Sequence, residues 1–290
     1  MKVFINNRLV PLSRARVSVF DRGFLYGDGV YETLRAYNGV IFRADQHLER
    51  LRQSARAIRL ALPYPRGELR SILNRTLRAN GIRNGLLRLT VSRGAGPWGV
   101  DPPPGSRPTV VVMARPFVKP SRLRYARGIR VRIVSVERSG SRSLDPRIKS
   151  TNFLNNMLAR MEATRAGADE GLMLNADGRL TEGTVSNLFL VRKKRLFTPS
   201  LDCGLLDGVT RRVVMELAGS MGISLKETAL TPDDLLRADE CFLTNTSMEI
   251  MPVTRIGNSR LGSGRPGEMT LRLAAALRAL VKKECKGSSR

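Results

Sequence analysis

One histidine, His47, and three cysteines, Cys203, Cys241 and Cys285, are all the sequence offers of two residue types much used as bases and metal ligands. A single histidine argues against multi-histidine metal centres and counts against Ser-His-Asp and Cys-His hydrolases. The cysteines are odd in number, far apart and never in a C-x-x-C pair. That argues against a disulfide framework or a zinc site and for a reducing compartment. Aromatic residues are only 5% of the chain, and no apolar run reaches the ~18–20 residues needed to span a bilayer. The opening Met1-Lys2-Val3-Phe4-Ile5-Asn6-Asn7 turns polar too early for a secretory signal, so a cytoplasmic protein with no membrane partner is expected. Acidic residues are also scarce: 25 Asp and Glu stand against 50 Lys and Arg, a formal charge of +25.

Such an excess ordinarily points to nucleic acid or an acidic surface. Here 41 of the cations are arginine and they are spread along all 290 residues. The tightest run, Arg192-Lys193-Lys194-Arg195, lies between Leu188-Phe189-Leu190-Val191 and Leu196-Phe197, as a hairpin turn would. The other, Lys282-Lys283, opens a short basic end, Lys282–Arg290. No RNA-binding aromatic signature and no helix-turn-helix pattern accompanies them. A solvated arginine-rich surface, with no nucleic-acid partner, is therefore the expectation. A basic nucleic-acid-binding protein is the alternative from another class.

The chain is long enough, and at 42% hydrophobic apolar enough, for two domains with real cores. Residues 2–10 read as two short strands around Asn6-Asn7, followed by strands at Val17–Phe20 and Val30–Tyr37 and the stretch Val40–Phe42 after Asn38-Gly39. Asp45 stands as an N-cap before a helical face of Leu48, Leu51, Ala55 and Ile58, and a second helix spans Arg66–Ala79. Leu86–Ser92 and Thr109–Ala114 read as buried strands separated by the Gly- and Pro-rich loop Gly94–Pro108. Arg115-Pro116-Phe117-Val118-Lys119-Pro120 breaks the pattern as a linker. Beyond it the pattern gives a strand (Ile129–Val136), a helix (Asn152–Ala166) and a hairpin of Gly171–Leu174 with Val185–Val191. A helix (Val209–Gly219), a strand (Cys241–Thr244) and a terminal helix (Met269–Lys283) follow. The fold class is α+β / α/β. The domains are a small N-terminal α+β domain at 1–116, a loop at 117–127 and a large C-terminal domain at 128–290 that carries Lys149.

Four constellations could carry chemistry. Lys149, in Asp145-Pro146-Arg147-Ile148-Lys149-Ser150-Thr151-Asn152, is half shielded by Ile148 and Phe153 and could act as a Schiff-base nucleophile. Alone it reads as well as a surface lysine near a helix start. Glu182, in Thr181-Glu182-Gly183-Thr184-Val185-Ser186-Asn187, is either a turn residue or a carboxylate that keeps a cofactor ring nitrogen protonated. Leu205-Leu206-Asp207-Gly208-Val209-Thr210-Arg211 opens a helix whose first N–H groups and hydroxyl would suit a phosphate, or simply cap themselves. Thr244-Asn245-Thr246-Ser247-Met248-Glu249 is a hydroxyl-rich turn, a second possible anion cradle.

The order and spacing of these motifs, with Leu25-Tyr26-Gly27-Asp28-Gly29-Val30-Tyr31-Glu32 and His47-Leu48-Glu49-Arg50-Leu51 upstream, resemble the class IV (fold type IV) pyridoxal-phosphate aminotransferases. The resemblance runs from about Val3 to the terminal helix. It implies a two-domain enzyme with pyridoxal 5'-phosphate at the domain interface, and a homodimer or dimer-based oligomer. Lys149 would carry the cofactor as a Schiff base and move the proton at the substrate α-carbon. Glu182 would pair with the pyridine nitrogen. Arg50, Val209, Thr210 and Thr246 would hold the 5'-phosphate, with Leu205 against the ring. His47, one turn before Arg50, reads as structural.

Within the family, D-amino acid aminotransferases carry an Arg-x-His after the strand's Arg-Gly, whereas here Ser92-Arg93-Gly94-Ala95-Gly96-Pro97 leads into Trp98-Gly99-Val100. Branched-chain enzymes have an arginine within the preceding strand and a turn for the α-carboxylate, and Arg88 and Thr246-Ser247 match these. Tyr26, Tyr31 and Arg35 match residues lining their substrate pocket. Ser143–Lys149 and Gly257–Pro266 are also branched-chain-like. Against this, Thr33 follows Glu32 where glycine is common, Asn152-Phe153 follow the lysine, and Asn245–Pro252 is lyase-like. The resemblance therefore implies ping-pong transamination of branched-chain L-amino acids with 2-oxoglutarate. Aminodeoxychorismate lyase is the alternative, then a D-amino acid or amine transaminase.

Overall fold

Alternating apolar residues at Leu34, Leu87, Leu89, Val91, Val110 and Val112 build one face of a six-stranded antiparallel sheet in the computed structural model. The model describes residues 1–102, 104–105, 107–140 and 142–286, so the last four residues of the basic end lie outside them. The sheet comprises β1 (Lys2–Ile5), β2 (Arg8–Pro11), β3 (Gly29–Tyr37), β4 (Val40–Ile41), β5 (Gly85–Ser92) and β6 (Thr109–Pro116), in the order β2-β1-β6-β5-β3-β4. A short α1 (Arg22–Tyr26) precedes β3, while α2 (Ala44–Ala57) and α3 (Arg66–Ala79) cover the apolar face with Leu48, Leu51, Leu69, Leu73 and Leu77. Each such leucine, fully buried, contributes roughly 1.5–3 kcal/mol. Because side chains alternate along a strand, Tyr31, Thr33 and Arg35 point to the other face of β3, opposite Val30, Glu32 and Leu34.

The second half builds a nine-stranded mixed sheet. Its elements are α4 (Arg122–Arg127), β7 (Ile129–Ile133), α5 (Leu154–Arg165), β8 (Glu170–Leu174), β9 (Leu180–Gly183), β10 (Asn187–Arg192) and β11 (Arg195–Pro199). They continue with α6 (Val209–Ser220), β12 (Leu225–Thr228), α7 (Pro232–Leu236), β13 (Glu240–Asn245), β14 (Glu249–Ile256), β15 (Ser259–Arg260) and α8 (Glu268–Glu284). The strand order is β12-β11-β10-β13-β14-β7-β8-β9, with β15 on β14. The basic run does form the β10–β11 turn, with Lys193 and Lys194 both at positive φ. Helix α5 is unusual: Asn156, Ala159 and Ala163 face inward, while Leu154, Met157, Leu158 and Met161 are exposed.

The chain divides into two compact units, Met1–Val118 with Ile148–Asn152 and Val281–Arg290, and Lys119–Arg147 with Phe153–Leu280. Lys149, expected in the larger C-terminal domain, therefore groups with the first unit. Backbone pairing is the cause: Ser150 bridges Val30 on the edge of β3 opposite β5, away from the Ala36 and Tyr37 end that β4 pairs. The expected loop 117–127 is largely α4, because Ser121 caps it through Arg124 N. Val17–Phe20 is not a strand: no ladder forms on it among the described residues, where the Phe20 carbonyl accepts from Gly96 N (3.2 Å), and its large apolar side chains are exposed. Gly171–Leu174 pairs with β9 rather than with Val185–Val191, whose β10 portion pairs mainly with β13. Asp45 lies in the first turn of α2, with Arg43 as N-cap, and the helix after Lys149 starts at Leu154. Among the described residues, no helix is long and apolar enough to cross a membrane.

Candidate active site

Lys149 is held by its backbone. Its carbonyl accepts from Tyr31 N (2.9 Å), its N–H donates to Ser54 Oγ (3.0 Å), and Thr151 N donates to Gly29 O (2.9 Å). Thr151 Oγ1 and Asn152 Nδ2 both donate to Gly27 O, at 2.6 and 2.9 Å. Gly27 sits at φ +67°, and a Cβ there would lie 2.5 Å from Asn152 Oδ1, so this turn requires glycine. The clamp sends the lysine side chain over the Tyr31 ring, with Nζ 4.5 Å from the centroid. Arg88, cross-strand partner of Thr33, lies against the same ring at 3.3 Å. Tyr31, Arg88 and Lys149 are thus brought together as an aromatic ring flanked by two cations.

Arg50, expected as a phosphate ligand, lies below the strand and forks onto Glu32: Nε to Oε1 at 2.7 Å and Nη2 to Oε2 at 2.8 Å. His47 Nδ1 is 2.8 Å from the same Oε2. Burial works to raise the Glu32 pKa, but the charge of Arg50 above all holds the carboxyl well below the usual range. Burial also pushes the His47 imidazole below its ordinary value, with Glu32 opposing and Arg50 and Lys149 assisting. With the ring uncharged, Nδ1–H donates to Glu32. The histidine is therefore part of a buried ion-pair scaffold under β3.

Two other residues expected to line the pocket have further attachments. The Tyr26 hydroxyl accepts from Gly99 N (3.1 Å), and Arg22 donates to the carbonyls of Gly99 and Val100. Arg35 Cζ lies 3.5 Å from the Phe117 ring centroid and 4.4 Å from that of Tyr37. Arg93, beside which D-specific enzymes place their carboxylate trap, is committed to Asp28 and to the carbonyls of Ile58 and Arg59.

In the second unit, Glu182 lies one residue before the end of β9 and is buried. Oε1 accepts from Arg138 Nε (2.9 Å), and Oε2 accepts from Leu206 N (3.1 Å) and Asn187 Nδ2 (3.5 Å). Leu206 directly precedes the turn into α6, whose N-cap Gly208 provides no side-chain cap. Leu205 and Val209 are buried and Thr210 partly so. Thr246 and Ser247 occupy the β13–β14 turn, where Asn245 Oδ1 accepts from Ser247 N, Ser247 Oγ and Met248 N. The neighbouring Thr244 hydroxyl is buried without a hydrogen-bond partner.

These groups suit pyridoxal phosphate. A buried carboxylate matches a protonated ring nitrogen, an uncapped helix N-terminus matches a phosphate, and an orphaned hydroxyl suits an acceptor. Arg138 was not distinguishable in the sequence: it is one arginine among 41, in a stretch without a motif. Among the described residues, no group of three His, Cys, Asp or Glu could hold a metal ion.

The Amino-transferase class IV model matches residues 29–256. A Methanocaldococcus jannaschii protein inferred to be a branched-chain-amino-acid aminotransferase is 41% identical over 273 residues, 94% of each chain. D-alanine aminotransferase of Bacillus licheniformis is 37% identical, covering 98% of both chains. Aminodeoxychorismate lyase of Bacillus subtilis is 36% identical, covering 98% of this chain and 94% of the other. Among solved structures, the branched-chain amino acid aminotransferase from Thermobaculum terrenum in its PLP form superposes with a TM-score of 0.89 at 31% identity, covering 97% of this chain and 94% of that one. Motif order, fold and overall similarity agree, and the chain belongs to the class IV aminotransferase family.

Proposed function

We propose that this protein catalyses pyridoxal-phosphate-dependent transamination of branched-chain L-amino acids with 2-oxoglutarate. The observation that carries the reading is the Lys149 clamp, which holds Nζ over Tyr31 beside Arg88. When bound, the cofactor supplies the electron sink for charge developing at the substrate α-carbon. Lys149 Nζ is then the group that takes and returns the α-proton, and its fixed backbone keeps that nitrogen in one place. Glu182 keeps the ring nitrogen protonated. The first N–H groups of α6, with Thr210 and Thr246, bind the phosphate, Leu205 packs on the ring, and Arg50 is supported from below by Glu32. Arg88, with Tyr26, Tyr31 and Arg35, lines the substrate side, and Thr246-Ser247 receives the α-carboxylate. The absence of an Arg-x-His after Arg93-Gly94, where Trp98-Gly99-Val100 follows instead, argues against a D-specific carboxylate trap.

We also propose a cytoplasmic homodimer. The exposed Leu154, Met157, Leu158 and Met161 on α5 support it, since a helix that turns its small residues inward and its large apolar ones outward calls for cover.

A second reading, elimination of pyruvate from aminodeoxychorismate, is favoured by the β13–β14 turn, where Thr246-Ser247-Met248 stands in the lyase-like stretch Asn245–Pro252, and by the 36% identity to an aminodeoxychorismate lyase. Holoenzyme mixed separately with L-leucine, L-isoleucine, D-alanine, (R)-1-phenylethylamine and aminodeoxychorismate decides between them. Leucine should discharge the visible cofactor band in wild type and not in Lys149→Ala. Pyruvate release from aminodeoxychorismate with silence toward leucine would replace the first reading by the second.

A further inference from the structure

Behind Glu182 runs a chain of buried polar groups that the reaction itself does not use. Glu170, on β8 and buried, accepts from Thr184 Oγ1, from Thr184 N at 3.2 Å and from Gly171 N at 3.0 Å. The Thr184 carbonyl accepts from Asn156 Nδ2 at 2.8 Å. Asn156 Oδ1 in turn accepts from Arg138 Nη1 at 3.2 Å, and Arg138 Nε donates to Glu182 at 2.9 Å. The network therefore starts and ends on a carboxylate, and Asn156 is its only link supplied by the inward face of α5. Arg160, on the same helix, pairs with the far carboxylate, Glu170, at 3.3 Å.

An inward-facing asparagine amid Ala159 and Ala163 has little value as packing, and a buried amide is costly unless both its ends are bonded. Here both ends are bonded, and each bond fixes something different. One ties down the Gly183–Ser186 turn immediately after Glu182. The other fixes the plane of the Arg138 guanidinium. A guanidinium offers several N–H groups, and which one faces Glu182 depends on what the remaining ones hold.

We propose that Asn156 is a positioning residue for Glu182: its amide spans the Thr184 carbonyl and Arg138 Nη1, and so aims Arg138 Nε at the carboxylate that meets the cofactor ring nitrogen. The inference rests on the proposed function, in that it takes Glu182 as the ring-nitrogen partner. Asn155 Oδ1 lies 3.4 Å from the same Nη1, but its amide donates to the Glu137 carbonyl instead of the turn. Among the described residues, Asn156 is the side chain that bonds both the turn and Arg138. Without it, Arg138 is free to turn and the Glu182 carboxylate loses its fixed direction toward the ring nitrogen. Protonation of the ring nitrogen is then weakened, and the lysine linkage of the cofactor becomes more basic.

The test is a double-mutant cycle on holoenzyme, reading the pH at which the visible cofactor band titrates, the Kd for pyridoxal phosphate, and kcat and KM for leucine. Asn156→Leu should move the band's titration upward by about half a pH unit or more. It should also lower kcat about tenfold with KM changed less than twofold. Arg138→Gln should shift the band in the same direction, and adding Asn156→Leu to it should produce no further shift. If Asn156→Leu does not fold, Asn156→Ala removes the same two hydrogen bonds without added bulk. An unchanged titration in the folded single variant, or fully additive shifts in the double variant, overturns the proposal. Wild-type protein that develops no visible band with added cofactor would instead overturn the proposed function, so the two failures are distinguishable.

Discussion

Glu32 illustrates how a residue that looks like part of a pocket motif can belong to the scaffold beneath it. Its neighbours Tyr31 and Thr33 face the open side of β3, whereas its own carboxylate is buried between Arg50 and His47. Removing one member of a buried ion pair strands the other, so Glu32→Gln should cost roughly 3–5 kcal/mol of stability, measured by urea unfolding. The pH dependence follows from the same cluster. The folded-state pKa of Glu32 lies below its unfolded value of 4.5, and that of His47 below 6.5. Both contributions are present in full above those unfolded values and are lost as pH falls, because the unfolded chain then binds more protons. Stability should therefore decline from pH 6.5 downward, with His47→Asn removing the upper part of the decline and Glu32→Gln the part below 4.5. A wild-type curve that is flat from about pH 7 to about pH 4 would refute the assignment. Elsewhere, burial pushes the Cys285 thiol up to about 11 and Cys241 higher still, consistent with thiols that play no chemical part.

Elements matter here mainly through the turns that join them. Gly208 caps α6, and a Cβ added there would fall 1.9 Å from Asn187 Oδ1. Asn187 bonds both the Leu206 carbonyl and Glu182, so Gly208→Ala should disturb together the two groups proposed to meet the ring nitrogen and the phosphate. About a tenfold loss in pyridoxal phosphate affinity is expected on equilibrium titration, in proportion to one or two weakened buried hydrogen bonds. Unchanged affinity would mean that Asn187 has room to yield.

Much of this level was readable in advance. Leu34, Leu87 and Leu89 alternate as a half-buried strand must, and Leu48, Leu51 and Ala55 repeat as a helix must. What could not be read was set by long-range pairing. Nothing local reveals that Val17–Phe20 lacks a strand to pair with, or that β8 turns back on β9. The site divided in the same way. Lys149, Glu182 and the Gly208–Thr210 turn stand in recognisable motifs. Arg138 and Asn156 owe their positions to tertiary contacts, and the engagement of Arg50 with Glu32 becomes visible only once β3 and α2 are packed together.

For the whole molecule, a charge of +25 is a standing source of self-repulsion. Part of the arginine content has structural work. Arg22 binds backbone carbonyls, Arg211 is fully buried on Glu227 and the Pro199 carbonyl, and Arg93 spans Asp28 and two carbonyls. The remainder lies largely at the surface, where repulsion reaches ~30 Å at 0.01 M salt and ~10 Å at 0.1 M. Adding sodium chloride from about 0.01 to about 0.3 M should therefore raise the melting temperature. A fall would show that attractive surface pairs outweigh the repulsion.

The bridge that seats Lys149 also has a consequence in time. Thr151 closes onto Gly27, 124 residues earlier in the chain. At ~5–20 residues per second, ribosomal synthesis leaves that edge of β3 without its partner for on the order of ten seconds. During that interval, a nascent chain whose first sheet has already assembled exposes unpaired amides and carbonyls next to Tyr31. Seating of Lys149 is thus a late event in biogenesis, because the segment that carries it is made long after the edge on which it docks.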